Sequence, residues 1–363
     1  MKPKIVILSI VTMLVSLPSV AGNGWFGWAP YGQPMYADMH PEHARLDISA
    51  VSMNPAYDYG KSGGRYQVHT IGTFGLNLPV WNGDLGDGRF GLNVTLPLSA
   101  TLWMDIAEKV TSAVVNTDYR IGCPSLTFIH RFGCDGGNCE GQKRFARNYS
   151  IRLQAFKHES THVGDELVLQ RSSEAFALKR VNVSYNFAEL AFTLNEPENR
   201  CMEYHSFRAA LMIPYFIRNG WYFVEERDGD IGQVPAAREE TNSAGNRESY
   251  GPAISAPEWY LQYQWQSKTA KCGIQGIVSA ELRGRALYAY DLSAKEGAPA
   301  TSATRDAYTL TVNGFAGIRY NGGRDGFFSR FALGVRGYWG NCPYGMFRSI
   351  GNFSQFGLCL IFQ

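Results

Sequence analysis

The stretch from Arg89 to Met104, RFGLNVTLPLSATLWM, decides the fold because apolar and polar residues alternate along its whole length. Successive side chains of a β-strand point to opposite sides, so the pattern predicts a strand with one apolar and one polar face. The strand is longer than the ~5–6 residues usual in soluble sheets. The apolar face carries Phe90, Leu92, Val94, Leu96, Leu98, Ala100 and Leu102, and the polar face carries Gly91, Asn93, Thr95, Pro97, Ser99 and Thr101.

The same period of two residues recurs along the rest of the chain. Tyr149 to His158 and Val181 to Phe187 alternate in the same way. Many of these stretches approach the ~9–11 residues with which a tilted strand crosses a bilayer. Further candidate strands are 44–54, 66–76, 116–130, 187–195, 206–217, 220–226, 257–266, 274–290, 308–320, 328–339 and 354–363.

These strands predict an all-β fold, a single antiparallel transmembrane β-barrel of about 12 strands with a polar lumen. The alternative fold is a secreted, soluble β-sandwich or barrel. That fold needs one dry core, whereas one face of the clearest strands carries Arg, Gln and Asn repeatedly. The pattern therefore favours the membrane barrel.

Composition and charge exclude two other classes of protein. Only 18% of the 363 residues are charged, below the ~25% typical of soluble domains, and aromatic residues make up 13%. A chain of this composition does not stay disordered in water. Lys and Arg number 34 against 32 Asp and Glu, so the net charge does not support a nucleic-acid partner.

The N-terminus predicts export to the bacterial outer membrane. Lys2 and Lys4 precede the apolar run from Ile5 to Leu17, and the small residues Ser19-Val20-Ala21 follow. This order is typical of a cleaved signal peptide. We predict a signal peptide at 1–21, an N-terminal cap or plug segment at 22–43 and the barrel at 44–363.

The seven cysteines suit an oxidising compartment, although their number is odd. Cys134 and Cys139 bracket a polar loop, where they either form a local disulfide or remain two free thiols.

One segment, His158 to Glu166 (HESTHVGDE), carries residue types that chemistry needs. Its first five residues match the zinc-protease pattern H-E-x-x-H, in which a helix brings both histidines to one metal. Here the preceding residues alternate as a strand, and two histidines four residues apart on a strand lie ~13 Å from each other. The pattern therefore disfavours zinc.

The same segment contains His158-x-Ser160, and Asn182-Val183-Ser184-Tyr185 follows later in the chain. This pair of motifs resembles outer-membrane phospholipase A, whose barrel wall carries a His-x-Ser and a later Asn-x-x-Tyr. The resemblance implies that Ser160 is a nucleophile, His158 its base and Asn182 the residue that orients His158. By strand parity all three point into the lumen, unless a bulge reverses the face.

A broader resemblance covers Asn116 to Gly122 (NTDYRIG) and Arg152 to Glu166. These stretches look like an uncharacterised bacterial outer-membrane family whose members carry a His-x-Ser-Ser-His-Leu-Gly-Asp-Glu core. The resemblance implies the location and the barrel architecture, and it implies no established activity.

Two functions therefore stay open. The first prediction is an integral outer-membrane barrel of structural or passive pore type, which contacts outer-membrane lipids, passes small solutes and needs no cofactor. The alternative is an outer-membrane lipid hydrolase, of the phospholipase or lipid A deacylase type, that uses His158 and Ser160. Calcium would then be its cofactor, with Asp165 and Glu166 as candidate ligands, because a hard cation prefers clustered oxygens. The sequence leaves the oligomeric state open.

Overall fold

The computed structural model describes residues 24–25, 35–52, 66–85, 89–106, 113–132, 147–163, 180–196, 203–215, 221–227, 230–235, 238–241, 247–250, 257–270, 273–286, 308–321, 330–344 and 353–362. In these ranges the regular structure is entirely β. The strands are β1 Gly24–Trp25, β2 Ala44–Ser52, β3 Gln67–Leu85, β4 Phe90–Asp105, β5 Ala113–Gly122, β6 Ser125–Arg131, β7 Asn148–Val163, β8 Arg180–Leu194, β9 Tyr204–Tyr215, β10 Trp221–Arg227, β11 Asp230–Pro235, β12 Arg238–Thr241, β13 Arg247–Tyr250, β14 Glu258–Gln266, β15 Ile274–Ala286, β16 Tyr308–Asn321, β17 Arg330–Gly340 and β18 Phe353–Phe362.

The long strands close into an antiparallel barrel. Consecutive strands pair from β2 to β5, from β6 to β9 and from β14 to β18. β9 also pairs with β14, and β18 closes the ring on β2. β5 and β6 occupy one position, since both pair with β4 on one side and β7 on the other. The barrel therefore has 12 strands, and the predicted fold class is confirmed.

The two faces of the wall differ as the sequence predicts for β4. Asn93, Thr95 and Ser99 are buried in the lumen, while Phe90 is half exposed on the outside. Large apolar side chains cover the outside of the other strands too, so the protein is a β-barrel membrane protein. They include Leu46, Ile48, Phe74, Leu190, Phe192, Leu211, Leu261, Val278, Leu310, Val312, Leu333 and Leu358.

The lumen is filled with charged and polar side chains that pair with one another. Arg336 Nη1 lies 3.0 Å from Asp47 Oδ2, and Arg45 Nε lies 3.1 Å from the same atom. Arg283 contacts Glu281 at 3.1 Å. Such pairing is what makes buried charges tolerable.

Residues 35–43, which we call the lumenal segment, run through this interior ahead of β2. Met35, Tyr36 and Ala37 are fully buried. The Tyr36 backbone N–H donates to Gln264 Oε1 at 2.9 Å, and the Tyr36 ring stacks on Phe315 at 5.3 Å between centroids. The segment is thus bonded to the inner wall of the barrel.

Asp38 and Glu42 of the lumenal segment make ion pairs with strands of the barrel wall. Asp38 lies 3.9 Å from Arg283, and Glu42 lies 3.0 Å from Lys157 and 3.8 Å from Arg152. Burial raises the pKa of Asp38 and the charge of Arg283 lowers it, with a net lowering. The cavity beside Asp38 measures about 10 Å³, which is roughly the room that one water molecule needs.

The two ends of the barrel differ in the length of their connections. At the end where β2 begins, 86–89 joins β3 to β4 and 267–273 joins β14 to β15, and the longest connection at this end is 132–147 between β6 and β7. At the other end, 216–257 lies between β9 and β14 and 287–307 between β15 and β16. We call this second end the long-connection end. Since outer-membrane barrels carry their longer loops on the outside of the cell, we assign it to the exterior.

Several sequence predictions fall on residues that the structure does not describe. They include the signal peptide at 1–21, residues 22–23 and 26–34 of the N-terminal segment, and the Cys134–Cys139 pair. Among the described residues, Cys123, Cys342 and Cys359 are free thiols. No helix in the described ranges is long and apolar enough to span a membrane.

Candidate active site on the outer wall

His158 and Ser160 lie in β7, near its end on the long-connection side of the barrel. The strand continues to Val163, so the H-E-x-x-H pattern is extended and not helical. Backbone positions 158 and 162 are then ~13 Å apart, too far for one zinc ion. The strand geometry therefore agrees with the interpretation that disfavoured a zinc protease.

Both residues face outward, because a bulge reverses the face of β7 as the parity argument had allowed. Gln154 pairs with Glu189, and Lys157 pairs with Phe187, so three steps on β7 match two steps on β8. Up to Gln154 the even-numbered side chains point into the lumen. Beyond the bulge the buried residues are odd-numbered, with Lys157 at 6% exposure and Glu159 at 2%. The bulge is the exception that the parity argument allowed, and His158 and Ser160 therefore do not point into the lumen.

The side chain that contacts His158 is Asn186 of β8. The two residues are directly paired across the strands, and His158 Nδ1 lies 2.7 Å from Asn186 Oδ1. Because an amide oxygen only accepts hydrogen bonds, this contact assigns His158 the tautomer in which Nδ1 carries the proton and donates it. This leaves Nε2 of a neutral His158 with its lone pair, as a general base requires.

The structure does not bring Asn182 to this position. Asn182 pairs with Tyr222 of β10 and lies four residues before Asn186 on β8. The separation along the strand is ~13 Å. The side chain of Asn182 is outside the described set, and the backbone register alone places Asn186, and not Asn182, opposite His158.

Ser160 stands two residues beyond His158, on the same side of the strand. Residues i and i+2 of a strand are ~6.6 Å apart along the axis, within reach of an imidazole and a hydroxyl that turn toward each other. Among the described residues no hydrogen bond joins Ser160 to His158. Unbound sites often show such contacts long, and they shorten when substrate is present.

The surroundings of the pair on the outer wall are apolar. Ile121 of β5 is paired with His158 and is 53% exposed, and Tyr119 is paired with Ser160 and is 49% exposed. The ring of Phe156 stacks parallel to His158 at 6.4 Å between centroids. The candidate site therefore opens on the face where lipid chains lie.

The residues interleaved with the pair are held on the lumen side. Arg120 of β5 donates to both carboxylate oxygens of Glu159, at 3.1 and 3.3 Å. Lys157 pairs with Glu42 of the lumenal segment at 3.0 Å. These contacts fix the backbone on either side of His158.

A metal site is not formed by the described residues, which contain no cluster of three His, Cys, Asp or Glu side chains that could hold an ion. Asp165 and Glu166, the candidate calcium ligands, lie in the undescribed stretch 164–179. Calcium as a cofactor of this site stays a prediction.

Asn186 was missed because strand pairing decides which asparagine meets His158. Residues 182–186 read NVSYN, and both asparagines have the same parity on β8. The choice between them depends on how many residues of the connection 164–179 separate the last paired residue of β7 from the first paired residue of β8. No local signal in the sequence gives that number.

Comparison with known proteins gives solved structures only, since no family model and no curated protein matches the sequence. The outer membrane phospholipase A from Escherichia coli has a TM-score of 0.40 at 12% identity, over 89% of this chain and 97% of that one. The Salmonella typhi outer membrane phospholipase dimer with bound calcium scores 0.39 at 12%, over 92% and 99%. The translocator domain of the autotransporter NalP from Neisseria meningitidis scores 0.35 at 10%, over 90% of each chain. At these scores the chemistry has to be argued from the side chains of this chain.

Proposed function

We propose that the protein is an integral outer-membrane hydrolase that cleaves an ester bond of a membrane lipid. Ser160 is the nucleophile, His158 its base and Asn186 the residue that orients His158. The observation that carries the proposal is the 2.7 Å contact from His158 Nδ1 to Asn186 Oδ1, on the outward face two residues from Ser160.

The reaction follows from the tautomer that Asn186 selects. Nε2 of His158 takes the Ser160 proton as Oγ attacks the ester carbonyl, and the imidazolium then gives that proton to the departing alcohol. Water attacks the resulting acyl-serine, with His158 again as the base, and releases the fatty acid. Asn186 keeps its hydrogen bond to Nδ1 throughout and stabilises the positive ring.

The position of the pair supports a lipid as substrate. Ile121 and Tyr119 expose apolar surface on both sides of it. His158 and Ser160 are near the end of β7 that leads into connection 164–179, which belongs to the long-connection end. A lipid ester in the external leaflet would lie at this height, because ester groups sit at the boundary between chains and headgroups.

A closed structural barrel is the second candidate function. The lumenal segment and the charge pairs fill the interior, and only a cavity of about 10 Å³ lies beside Asp38. This filling argues against a passive pore for small solutes through the described part of the barrel.

The test is ester hydrolysis by detergent-refolded protein, with phospholipid and with lipid A, in the presence and absence of calcium. Ser160→Ala should abolish fatty-acid release without changing the heat-modifiable mobility that marks a folded barrel. Ser354→Ala is the matched control, since Ser354 is a half-buried serine on β18 that hydrogen-bonds Tyr66. An inactive folded parent, or full activity in Ser160→Ala, would overturn the proposal.

A further inference from the structure

We propose that Gln154 and Gly122 are positioning residues, which hold a bulge shared by two strands and so turn His158 and Ser160 toward lipid. The proposal rests on the proposed function for its catalytic consequence. The structural part says that these two residues decide whether residue 160 faces lipid or the lumen. This part can be tested without measuring hydrolysis.

The bulge on β7 has a counterpart on the neighbouring strand. On β4, Leu98 pairs with Ile121 and Thr95 pairs with Ser125, so three steps on β4 match four steps across β5 and β6. The extra residue falls at Cys123–Pro124. β7 keeps one register with β5 and β6, since Gly122 pairs with Lys157 and Leu126 pairs with Leu153.

Both strands therefore change face at the same height. Before the bulge on β7, Arg152 and Gln154 point into the lumen, and after it Lys157 and Glu159 do so. Had β7 kept its first parity, Lys157 and Glu159 would face lipid, while His158 and Ser160 would face the lumen. The shared bulge sets the face of the candidate site.

Three hydrogen bonds connect the two strands at the shared bulge. The Cys123 N–H donates to the Phe156 carbonyl at 2.8 Å, and the Phe156 N–H donates to Cys123 Sγ at 3.2 Å. Gln154 Nε2 donates to the Cys123 carbonyl at 3.1 Å. Since the Gln154 side chain is 2% exposed, its amide replaces a strand partner that the bulge removes.

Gly122 provides the space for this arrangement. A Cβ atom at position 122 would lie 2.3 Å from Gln154 Nε2 and 2.9 Å from the Phe156 carbonyl oxygen. Both distances are shorter than van der Waals contact allows, and the second involves backbone. An alanine here must displace the Gln154 amide or the bulge itself.

The matched control is another glycine in the barrel wall. A Cβ atom at Gly72 of β3 has no heavy atom within 4 Å. Gly72→Ala therefore repeats the chemical change of Gly122→Ala without touching a neighbour. Gln154→Leu removes the amide that donates to the Cys123 carbonyl and keeps a side chain of similar size.

The experiment places a cysteine at position 160 (Ser160→Cys) and measures its labelling in liposomes. A lipid-dissolved maleimide and a water-soluble thiosulfonate are compared, and mass spectrometry of the peptide containing residue 160 separates its label from those of the native cysteines. We expect preferential labelling from the lipid phase in the parent and in Gly72→Ala. In Gln154→Leu and Gly122→Ala the ratio of lipid-phase to water-phase labelling should fall at least about fivefold.

Activity is measured in parallel, with Ser160 restored. Both bulge variants should lose kcat with little change in KM, while Gly72→Ala keeps both. Unchanged lipid-phase labelling in the folded bulge variants overturns the proposal. Failure of Gln154→Leu to assemble, with Gly72→Ala assembling normally, also overturns it, because the amide would then be a folding requirement. If the parent is inactive but shows the expected labelling pattern, the proposed hydrolase function is overturned. The proposal that Gln154 and Gly122 turn residue 160 toward lipid then still holds.

Discussion

Replacing Asn186 and Asn182 in turn separates the two candidate orienting residues. Asn186→Ala removes the 2.7 Å contact to His158 Nδ1 and leaves the backbone pairing of β7 and β8 in place. Asn182→Ala makes the same chemical change four residues away, where the backbone pairs with Tyr222. Both variants remove one asparagine side chain from β8, and only Asn186 is paired with His158.

The size of the effect follows from the charge on His158 during the reaction. In the transition state of the proposed reaction the ring is an imidazolium, and a hydrogen bond to a charged group contributes about 1.5–3 kcal/mol. At about 1.36 kcal/mol per tenfold change in rate, losing it should lower kcat roughly 10- to 150-fold. KM should change little, because Asn186 bonds to His158 and not to the lipid.

The assay is fatty-acid release from mixed micelles by refolded protein, checked for folding by heat-modifiable mobility. Asn182→Ala should retain the parent rate within about twofold. If Asn182→Ala loses the activity and Asn186→Ala keeps it, the register at His158 is misassigned and the proposed triad is wrong.

Three further predictions concern the lumen. In planar bilayers at neutral pH the parent should be silent, and Gly72→Leu should also be silent. Gly75→Leu should show conductance steps, because a Cβ atom at Gly75 lies 2.3 Å from the His43 backbone nitrogen and must displace the lumenal segment. Equal conductance of all three proteins would refute the closure of the lumen by this segment. Burial, followed by the charge of Arg45, lowers the pKa of His43 to about 3 when the lumenal segment lies inside the barrel. When the segment leaves the lumen, His43 therefore binds one more proton between about pH 3 and 6.5. Lowering the pH in this range reduces the free energy that keeps the segment in the lumen. At pH 5 the loss is about 2 kcal/mol, and openings should become more frequent at that pH in the parent but not in His43→Phe. Glu159→Leu should lower the free energy of unfolding in urea by about 1–3 kcal/mol, because Arg120 loses its bidentate partner and keeps the Asp118 carboxylate at 3.8 Å. Arg120→Met combined with Glu159→Leu should recover part of this loss, and a double variant as unstable as the single one would contradict the prediction.

The strands could be predicted from the sequence because each is long and the period of two is a local property. Arg89 to Met104 gives both β4 and its faces, since no bulge in β4 interrupts the alternation of the buried residues. Tyr149 to His158 gives β7 but the wrong face for its second half. The step at Ala155–Phe156 depends on Cys123 and Gln154 packing together, and these residues are over thirty positions apart in the sequence.

The candidate site was predicted in part for the same reason. His158 and Ser160 are adjacent on one strand, so a motif can identify them. Asn186 comes from the next strand, and its pairing with His158 depends on register across connection 164–179. Long-range pairing of this kind leaves no mark on either strand alone.

The alternation of β7 also explains how one short segment can serve both the barrel and the proposed reaction. Lys157 and Glu159 are the inward residues, and their partners Glu42 and Arg120 belong to the lumenal segment and to β5. His158 and Ser160 are the outward residues, and the buried ion pairs in this part of the wall are made by their inward neighbours Lys157 and Glu159. Substitutions at 157 and 159 should therefore change stability first and activity second, and substitutions at 158 and 160 should change activity alone. A stability loss in Ser160→Ala as large as that in Glu159→Leu would show that the outward residues hold the wall together and that their arrangement has a structural cause.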